Sequence, residues 1–180
     1  MSNIFFCSDH HFGHANILTF KRDDGTPLRD FVDIDHMNEI IVQRHNEVVR
    51  PNDKVYFLGD VVMSRKTSAL QILARMNGEK ILIKGNHDQC NLSAYAQYFK
   101  DVRGSHQFSG LIMTHIPIHP ESLARWGLNV HGHLHYNVVK LTVAQIPDKR
   151  YFNVSMERIN YTPISLEEIK KNVRMSNLGR

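Results

Sequence analysis

The sequence predicts an α/β fold in which helices cover a mostly parallel sheet. In the first half of the chain, short apolar runs alternate with segments of helical periodicity in the order β-α-β-α-β, a pattern typical of parallel sheets. Each apolar run ends in polar residues, and ligands of open α/β sheets collect at the carboxyl ends of the strands. The length of 180 residues suits one core, so we expect residues 1–180 to form a single domain.

The elements of the first half follow from apolar patterning and from helix and strand breakers. Residues 4–8 form a short apolar run that ends at once in a His-rich segment, which predicts a buried strand. Residues 20–33 are polar and contain Asp24-Gly25, which predicts a long loop. Apolar side chains at helical spacing predict an amphipathic helix over residues 33–50, with His45 on its inner face. A strand at 54–58, a helix at 69–76 and a strand at 80–83 complete this half.

The second half is predicted to contain mainly short strands. A helix is expected near residues 92–99, and strands are expected at 111–113, 128–130, 138–143 and 151–154. The last element is a helix at 165–173. Ser165 followed by Glu168 three positions later has the form of a capping box, which gives that helix a defined start.

Composition and charge restrict the class of protein. Apolar residues make up 42% and charged residues 22%, as in ordinary globular domains. No apolar run approaches the roughly 20 residues that span a bilayer, and the first residues lack a charged leader, so we expect a cytoplasmic protein without a membrane partner. The net charge of +4 favours anionic ligands without distinguishing a nucleotide from a nucleic acid. Cys7 and Cys90 are expected to be buried free thiols.

Five short segments carry side chains suited to metal chemistry. Asp9 and His11 are two positions apart, so on an extended strand end they point the same way and can reach one ion. His133 and His135 have the same spacing. The other segments are Gly59-Asp60, Gly85-Asn86-His87-Asp88 and His115. Each alone also fits an ordinary turn or a buried histidine, so the hypothesis depends on their joint order.

Taken in order, the segments DxH, GD, GNH, H and GHxH resemble the pattern of the calcineurin-like metallophosphoesterase superfamily. The resemblance spans residues 8–135, and within the superfamily the chain is most similar to the small, single-domain bacterial and phage phosphoesterases. It implies a four-layer α/β/β/α sandwich with two mixed sheets. Met63 stands where many members have a charged residue three positions after the Asp of the GD motif. This departure weakens the subfamily assignment and leaves the ligand set complete.

The resemblance also implies a role for each residue. The candidate metal ligands are Asp9, His11 and His135 for one ion, Asn86, His115 and His133 for the other, and Asp60 as the bridge between them. The candidate catalytic residues are Asp60, His87 and Asp88, with His87 as an unligated general acid held by Asp88 or by a neighbouring carbonyl. Mixed imidazole, carboxylate and amide-oxygen ligation suits two divalent transition metals, Mn²⁺ first and Fe²⁺ or Zn²⁺ as alternatives.

This chemistry predicts a metal-dependent phosphoesterase. Two cations about 3.5 to 4 Å apart can neutralise the oxygens of a phosphate ester and convert a bridging water to hydroxide near neutral pH. We expect hydrolysis of phosphodiesters, with phosphomonoesters or phosphoproteins as alternatives. The substrate is expected to be a small phosphate ester or a nucleotide, and a nucleic acid is a further candidate. A non-catalytic metal-binding scaffold and a nucleic-acid-binding protein are the competing hypotheses, and the scattered Lys and Arg residues argue against the latter.

Several side chains near the motifs are candidate substrate contacts. Arginine pairs well with phosphate oxygens, and an aromatic ring beside a guanidinium can stack on a nucleobase. Solvated loop positions are the alternative for each of them. The candidates are His14, Asn16, Arg22 and Arg29 after the first motif, and Arg125 beside Trp126 after His115.

Overall fold

The apolar runs predicted as strands pair with one another to form two sheets. In a computed structural model that describes residues 2–178, and only the backbone of 174–178, the runs after residue 3 become extended and their inward side chains are buried. The strands are β1 (Ile4–Cys7), β2 (Lys54–Phe57), β3 (Glu79–Ile83), β4 (Asp101–Arg103), β5 (His106–Phe108), β6 (Leu111–Met113), β7 (Leu128–His131), β8 (Tyr151–Asn153) and β9 (Ile164–Ser165).

Both sheets are mixed, as expected for this α/β fold. The first has the order β4-β3-β2-β1-β9, with all neighbours parallel except the β1–β9 pair. The second has the order β5-β6-β7-β8, in which only the β5–β6 pair is antiparallel. An isolated bridge between Ser8 and Ser155 brings the carboxyl ends of β1 and β8 together. The two sheets therefore meet at the edge where the polar motifs lie.

Helix α1 (Ile34–Val48) confirms the longest predicted helix. Asp33 caps its first turn by accepting a 2.7 Å hydrogen bond from the backbone N–H of His36. The helix buries Met37, Ile41 and His45 on one face, so its 3.6-residue periodicity becomes a packing surface. Helix α2 (Leu92–Tyr95), helix α3 (Leu166–Leu178) and a 3₁₀ helix at Thr67–Arg75 complete the larger helical segments of the described chain.

Strand alternation divides the core into two layers. In β1, Cys7 faces the helices together with Phe57 of β2, in a cluster that includes Ile41 of α1. Phe6 points to the opposite face and packs with Val130 of the second sheet. Burying one such large apolar side chain contributes about 1.5–3 kcal/mol. The first sheet is therefore held between helices on one face and the second sheet on the other.

Several predicted elements differ from the structure. Residues 138–143 are not a strand: Leu141 bonds to Ile146 within a loop and Val143 is 97% exposed, because no neighbouring strand pairs with this apolar run. The helix predicted at 69–76 is a 3₁₀ helix, and the one predicted at 92–99 contains only the single turn of α2. Strands β4, β5 and β9 are not predicted from the sequence, because their segments DVR, HQF and IS contain no apolar run, unlike the LIM segment of β6.

Other expectations are confirmed. The Ser165 hydroxyl accepts from the backbone N–H of Glu168, and the Glu168 carboxylate accepts from the backbone N–H of Ser165, which completes the capping box at the start of α3. Cys7 and Cys90 are both buried and free. Among residues 2–178, none of the helices is long and apolar enough to cross a membrane.

Candidate metal centre

The predicted ligands lie where parallel strands end. Asp9 follows β1, Asp60 follows β2 and Asn86 follows β3, while His115 and His133 follow β6 and β7 of the second sheet. The first two loops are tied together by a 3.0 Å hydrogen bond from the backbone N–H of Asp9 to the carbonyl of Gly59. The meeting edge of the two sheets thus collects side chains from five separate segments.

Six of the predicted ligands form two compact groups. In each group the ligand atoms lie within 4.8 Å of one another, which is close enough to contact one ion. His133 and His135 belong to different groups although they are two positions apart. The groups are Asp9, His11 and His135, and Asp60, His115 and His133.

Asp60 belongs to the second group and also lies close to the first. Its Oδ2 atom is 3.3 Å from Nε2 of His115 and 3.8 Å from Nε2 of His11. Its Oδ1 atom accepts a 2.8 Å hydrogen bond from the backbone N–H of His87. The amide oxygen of Asn86 lies 2.9 Å from Nε2 of His115, so Asn86 joins the second group as predicted. A carboxylate in this position can contact ions on both sides.

Most of the ligands stand on left-handed backbone. Positive φ values occur at Asp9 (59°), His11 (52°), Asp60 (53°), His133 (68°) and His135 (50°). Non-glycine residues rarely adopt this region, and such strain clusters at functional sites. The Asp9-His11 pair therefore stands on left-handed backbone, and the extended strand end assumed from the sequence is wrong for it.

Close backbone approach at Gly132 explains the glycine of the last motif. A Cβ at this position would overlap the Ser8 hydroxyl and the Asp9 carboxylate. The absence of a side chain lets the backbone N–H of His133 donate a 2.9 Å hydrogen bond to Oδ2 of Asp9. The hydroxyl of Ser155 donates to the same oxygen at 3.0 Å. Ser155 was not identified from the sequence, because a lone serine carries no spacing signal.

The polar atoms left over fit a cation. Oδ1 of Asp9 and both ring nitrogens of His11 are buried and have no hydrogen-bond partner. Buried polar atoms in native proteins are almost always satisfied, so these orphans require a partner such as an ion or an ordered water. Imidazole, carboxylate and amide oxygen are together the donor set that borderline transition metals prefer.

The carboxylates of the centre are held in the charged form. Burial by itself would raise the pKa of Asp9, but the imidazoles of His11, His115 and His135 together hold that pKa well below its ordinary value. Burial would also raise the pKa of Asp60. The His115 imidazole and the hydrogen bond from the backbone N–H of His87 outweigh burial, so the pKa of Asp60 is lowered as well. Both side chains are thus available as anionic ligands at neutral pH.

A buried ion pair supports His135 from behind. Glu157, whose side chain is fully buried, accepts from Nδ1 of His135 at 3.0 Å and from Nε of Arg29 at 2.7 Å. Burial lowers the pKa of His135, and Glu157 outweighs this and raises it. With Nδ1 bonded to the carboxylate, Nε2 is the nitrogen left to face Asp9 and His11.

Arg29 corrects one prediction. The sequence suggested a phosphate contact, but Arg29 is buried, and its side chain donates to the carbonyls of Asp9 and His10 as well as to Glu157. It stabilises the first motif from the interior. Nothing in the local sequence could have paired Arg29 with Glu157, because the two residues are 128 positions apart.

Asp88 does not hold the His87 ring. Its carboxylate accepts hydrogen bonds from the backbone N–H groups of Asp60 (2.9 Å), Val61 (3.0 Å) and Gly85 (2.8 Å). Burial raises its pKa despite these three donors. Asp88 therefore fixes the turns that carry Asp60 and Asn86, and the role predicted for it as a partner of His87 is wrong. The His87 ring itself is half-buried and lies 5.8 Å from the His11 ring between centroids.

Two of the predicted substrate contacts adjoin the centre. The His14 ring lies 5.5 Å from the His11 ring, and Arg22 lies with His133 and His135 in the wall of one cleft. Asn16 and Arg125 are exposed, and no described hydrogen bond, ion pair or ring contact joins either of them to the predicted ligands within residues 2–178. Of the five arginine, histidine and asparagine candidates, the structure therefore places two, His14 and Arg22, beside the centre.

Comparison with known proteins gives a family for the chain. No protein-family model matches it. The uncharacterized protein MJ1445 of Methanocaldococcus jannaschii is 33% identical over 184 residues, which cover 100% of this chain and 96% of that protein. The chain belongs to the family of MJ1445.

The MJ1445 family has similar proteins in phages and in bacteria. The gene 66 protein of Mycobacterium phage D29 is 28% identical over 177 residues, covering 79% of the chain and 83% of the phage protein. The crystal structure of the protein of unknown function AQ665 from Aquifex aeolicus superposes with a TM-score of 0.72 at 26% identity, covering 95% of this chain and 99% of that one. None of these names states an activity, so the function has to be argued from the site.

Proposed function

We propose that this member of the MJ1445 family is a dinuclear-metal phosphoesterase of the calcineurin-like type, with the four-layer α/β/β/α architecture of that superfamily. The observation that carries the proposal is the pair of adjacent three-residue groups, in which the Asp60 carboxylate belongs to the second group and also lies 3.8 Å from His11 of the first. A single structural ion would need only one such group, whereas an in-line displacement at phosphorus is served by two cations.

The residues fit two ions. Asp9, His11 and His135 would hold the first, and Asn86, His115 and His133 the second, with Asp60 shared. The buried orphan atoms of Asp9 and His11 support this fit, as does the donor set itself. When bound, two such ions would supply Lewis acidity to the phosphoryl oxygens and would lower the pKa of a coordinated water molecule. Mn²⁺ is the first choice, with Fe²⁺ or Zn²⁺ as alternatives.

The residues around the centre hold the candidate ligands in position, and His87 supplies a proton to the departing oxygen. The backbone N–H of His87 holds Oδ1 of Asp60, so the turn that carries the imidazole is fixed to the bridging carboxylate. The half-buried ring can approach a bound ester from the open side and donate its N–H proton to the departing oxygen. Glu157 keeps His135 in one tautomer, and Asp88 holds the Asp60 turn. We propose diesters as the preferred substrates and monoesters as the alternative.

Metal titration with activity measurement tests the proposal. Metal-free protein is titrated with Mn²⁺, and hydrolysis of bis-p-nitrophenyl phosphate and of p-nitrophenyl phosphate is followed. We expect two equivalents of Mn²⁺ to bind and activity to appear with the second. Asp60→Asn should weaken binding of both ions and remove most of the activity, whereas the exposed control Glu39→Gln should change neither.

Three results would contradict the proposal in different ways. Binding of two ions without hydrolysis of either ester or of a nucleotide panel would favour the metal-binding scaffold. Failure to bind transition metals, with Asp60→Asn as stable as the wild type, would remove the metal centre itself. Steeply salt-dependent affinity for DNA or RNA without metal-dependent hydrolysis would favour a nucleic-acid-binding protein.

A further inference from the structure

A cleft of about 500 Å³ adjoins the candidate metal centre. His133 and His135 form its inner end, so one ligand from each ion group faces it. One wall is the segment from Phe20 to Asp23, and the other is the loop that contains Tyr136. Ligand pockets of roughly 300–1,000 Å³ suit small organic molecules. An ester whose phosphate lies at the metal centre would therefore place its organic group in this cleft.

Both walls of the cleft are built from ordered backbone. The first wall is a small hairpin in which the Arg22 N–H donates to the Thr26 carbonyl at 2.8 Å and the Leu28 N–H donates to the Phe20 carbonyl at 2.8 Å. In the second wall, the side-chain amide of Asn153 donates to the carbonyls of His135 (2.9 Å) and Asn137 (2.8 Å). The cleft is thus fixed by hydrogen bonds on both sides, which favours binding without a large ordering cost.

The side chains on these walls are aromatic and cationic. Tyr136 is 39% exposed and Phe20 is 46% exposed, so both rings present part of their surface to the cleft. The Arg22 guanidinium lies 4.0 Å from the Tyr136 ring centroid, and Arg158 lies 5.5 Å from the same centroid. Nε of Arg22 is buried and has no hydrogen-bond partner. Lys21 adds a further positive charge, and Asp23 is the single acidic residue among those that line the cleft.

Aromatic rings also connect the cleft to the metal centre. The His14 ring lies 5.5 Å from the His11 ring on one side and 5.8 Å from the Phe20 ring on the other, between centroids. The path from a candidate ligand to the cleft is therefore lined by flat surfaces. Flat rings next to guanidinium groups are the surface on which nucleobases stack and to which phosphates bind.

We propose that this cleft binds the nucleoside part of a nucleotide ester, with the base against Tyr136 and Phe20 and Arg22 on a phosphate or on the base. The inference rests on the proposed function, because it assumes that the scissile phosphate lies at the metal centre. An aliphatic alcohol or a sugar offers no flat surface to the exposed parts of these rings. A free nucleotide and the end of a single strand present the same chemistry, and the experiment separates these two sources.

Two substrates that share one leaving group test the inference. Thymidine 5′-(p-nitrophenyl phosphate) carries a base, and methyl p-nitrophenyl phosphate does not. With Mn²⁺, the wild type should prefer the nucleoside ester in kcat/KM. Because one stacked base contributes about 1–3 kcal/mol, Tyr136→Leu should lower the ratio of kcat/KM for the nucleoside ester to kcat/KM for the methyl ester by about fivefold or more. Arg22→Gln removes the guanidinium from the same cleft and should raise KM for the nucleoside ester.

Matched controls lie elsewhere in the chain. Arg44 stands 5.9 Å from the Tyr161 ring, away from the cleft, so Arg44→Gln removes a similar arginine and should leave the preference unchanged. Phe108 is a 36% exposed ring on β5, so Phe108→Leu controls for loss of an exposed aromatic side chain. Urea unfolding of each variant shows whether it is folded. If Tyr136→Leu does not fold, Arg22→Gln still tests the inference.

Binding without turnover separates failure of the inference from failure of the proposed function. Calorimetry compares AMP with ribose 5-phosphate on the Mn²⁺-loaded protein, and we expect AMP to bind at least fivefold more tightly and Tyr136→Leu to abolish the difference. Hydrolysis of both esters without preference, and equal binding of AMP and ribose 5-phosphate, would overturn the inference and leave the phosphoesterase intact. AMP selectivity without hydrolysis would support the cleft and contradict the enzyme. If a single-stranded 12-mer inhibits hydrolysis of the nucleoside ester more strongly than AMP does, the cleft binds the ends of single strands and not free nucleotides.

Discussion

Replacing Glu157 by glutamine removes one charge from the interior and keeps the shape of the side chain. Glu157 and Arg29 both have side chains at 0% exposure, and their ion pair spans 2.7 Å. In the variant, Arg29 keeps its hydrogen bonds to the carbonyls of Asp9 and His10 but no longer has a charged carboxylate as its partner. Breaking a buried pair by removing one partner costs about 3–5 kcal/mol, because the remaining charge is left uncompensated. We expect the free energy of unfolding to fall by that amount.

The same substitution should weaken the first ion site. Glu157 accepts from Nδ1 of His135 at 3.0 Å, and loss of such a carboxylate partner typically costs 10–100-fold in metal affinity. The second site, which contains His115 and His133, should keep its affinity. Titration of metal-free protein with Mn²⁺, followed by calorimetry, resolves the two sites.

Urea unfolding of the metal-free protein measures the stability change, and the exposed pair of Glu39 and Arg75 provides the control. Those side chains are 59% and 51% exposed, so Glu39→Gln should cost about 0–1 kcal/mol. If Glu157→Gln costs no more than Glu39→Gln, the buried pair does not carry the charge assigned to it. If both ion sites weaken equally, Glu157 does not act through His135.

Three further substitutions test other features. Gly132→Ala places a methyl group on the Asp9 carboxylate; we expect a loss of about 1–3 kcal/mol in urea unfolding and weaker Mn²⁺ binding, and wild-type values for both would contradict the close approach. Burial lowers the pKa of His45 from 6.5 to about 4, so folding excludes a proton that the unfolded chain binds, and stability is lost as pH falls below 6.5. Between pH 7 and 5 this loss is about 2 kcal/mol, and His45→Gln should remove it from the pH profile of unfolding; an unchanged profile would refute the burial argument. Ser165→Ala removes the Glu168 capping box and should cost about 1 kcal/mol in thermal unfolding, and an unchanged melting temperature would show that the cap does not stabilise the helix.

Local pattern was sufficient for most elements and for the residue types of the candidate ligands. The runs that became β1, β2 and β3 are apolar and end in polar residues, and that signal lies within a few neighbouring positions. The α1 helix follows from periodicity and from Asp33 at its start. The predicted strand at 138–143 failed because an apolar run becomes a strand only when another strand lies beside it, and pairing is not a local property.

The motifs by themselves identified the candidate ligands but not the residues that hydrogen-bond to those ligands and hold them in place. The motifs that contain Asp9, His11, Asp60 and the later histidines can be read directly from the sequence, because each one is a short local pattern. By contrast, the backbone of His133 contacts Asp9 from 124 positions away, and Arg29 reaches Glu157 across 128 positions. Asp88 was misread because its target is backbone N–H groups, which carry no residue identity.

The sequence by itself therefore determined the α/β class, the strands that end at the site and the chemical types of the candidate ligands, because each follows from residue identity and short spacing. Only the tertiary structure decided that Ser155 donates to the Asp9 carboxylate, that Asp88 accepts from the backbone of the Asp60 turn, and that the Glu157–Arg29 pair is buried behind His135. These features depend on how two sheets meet at one edge, and that geometry arises from packing between distant segments of the chain.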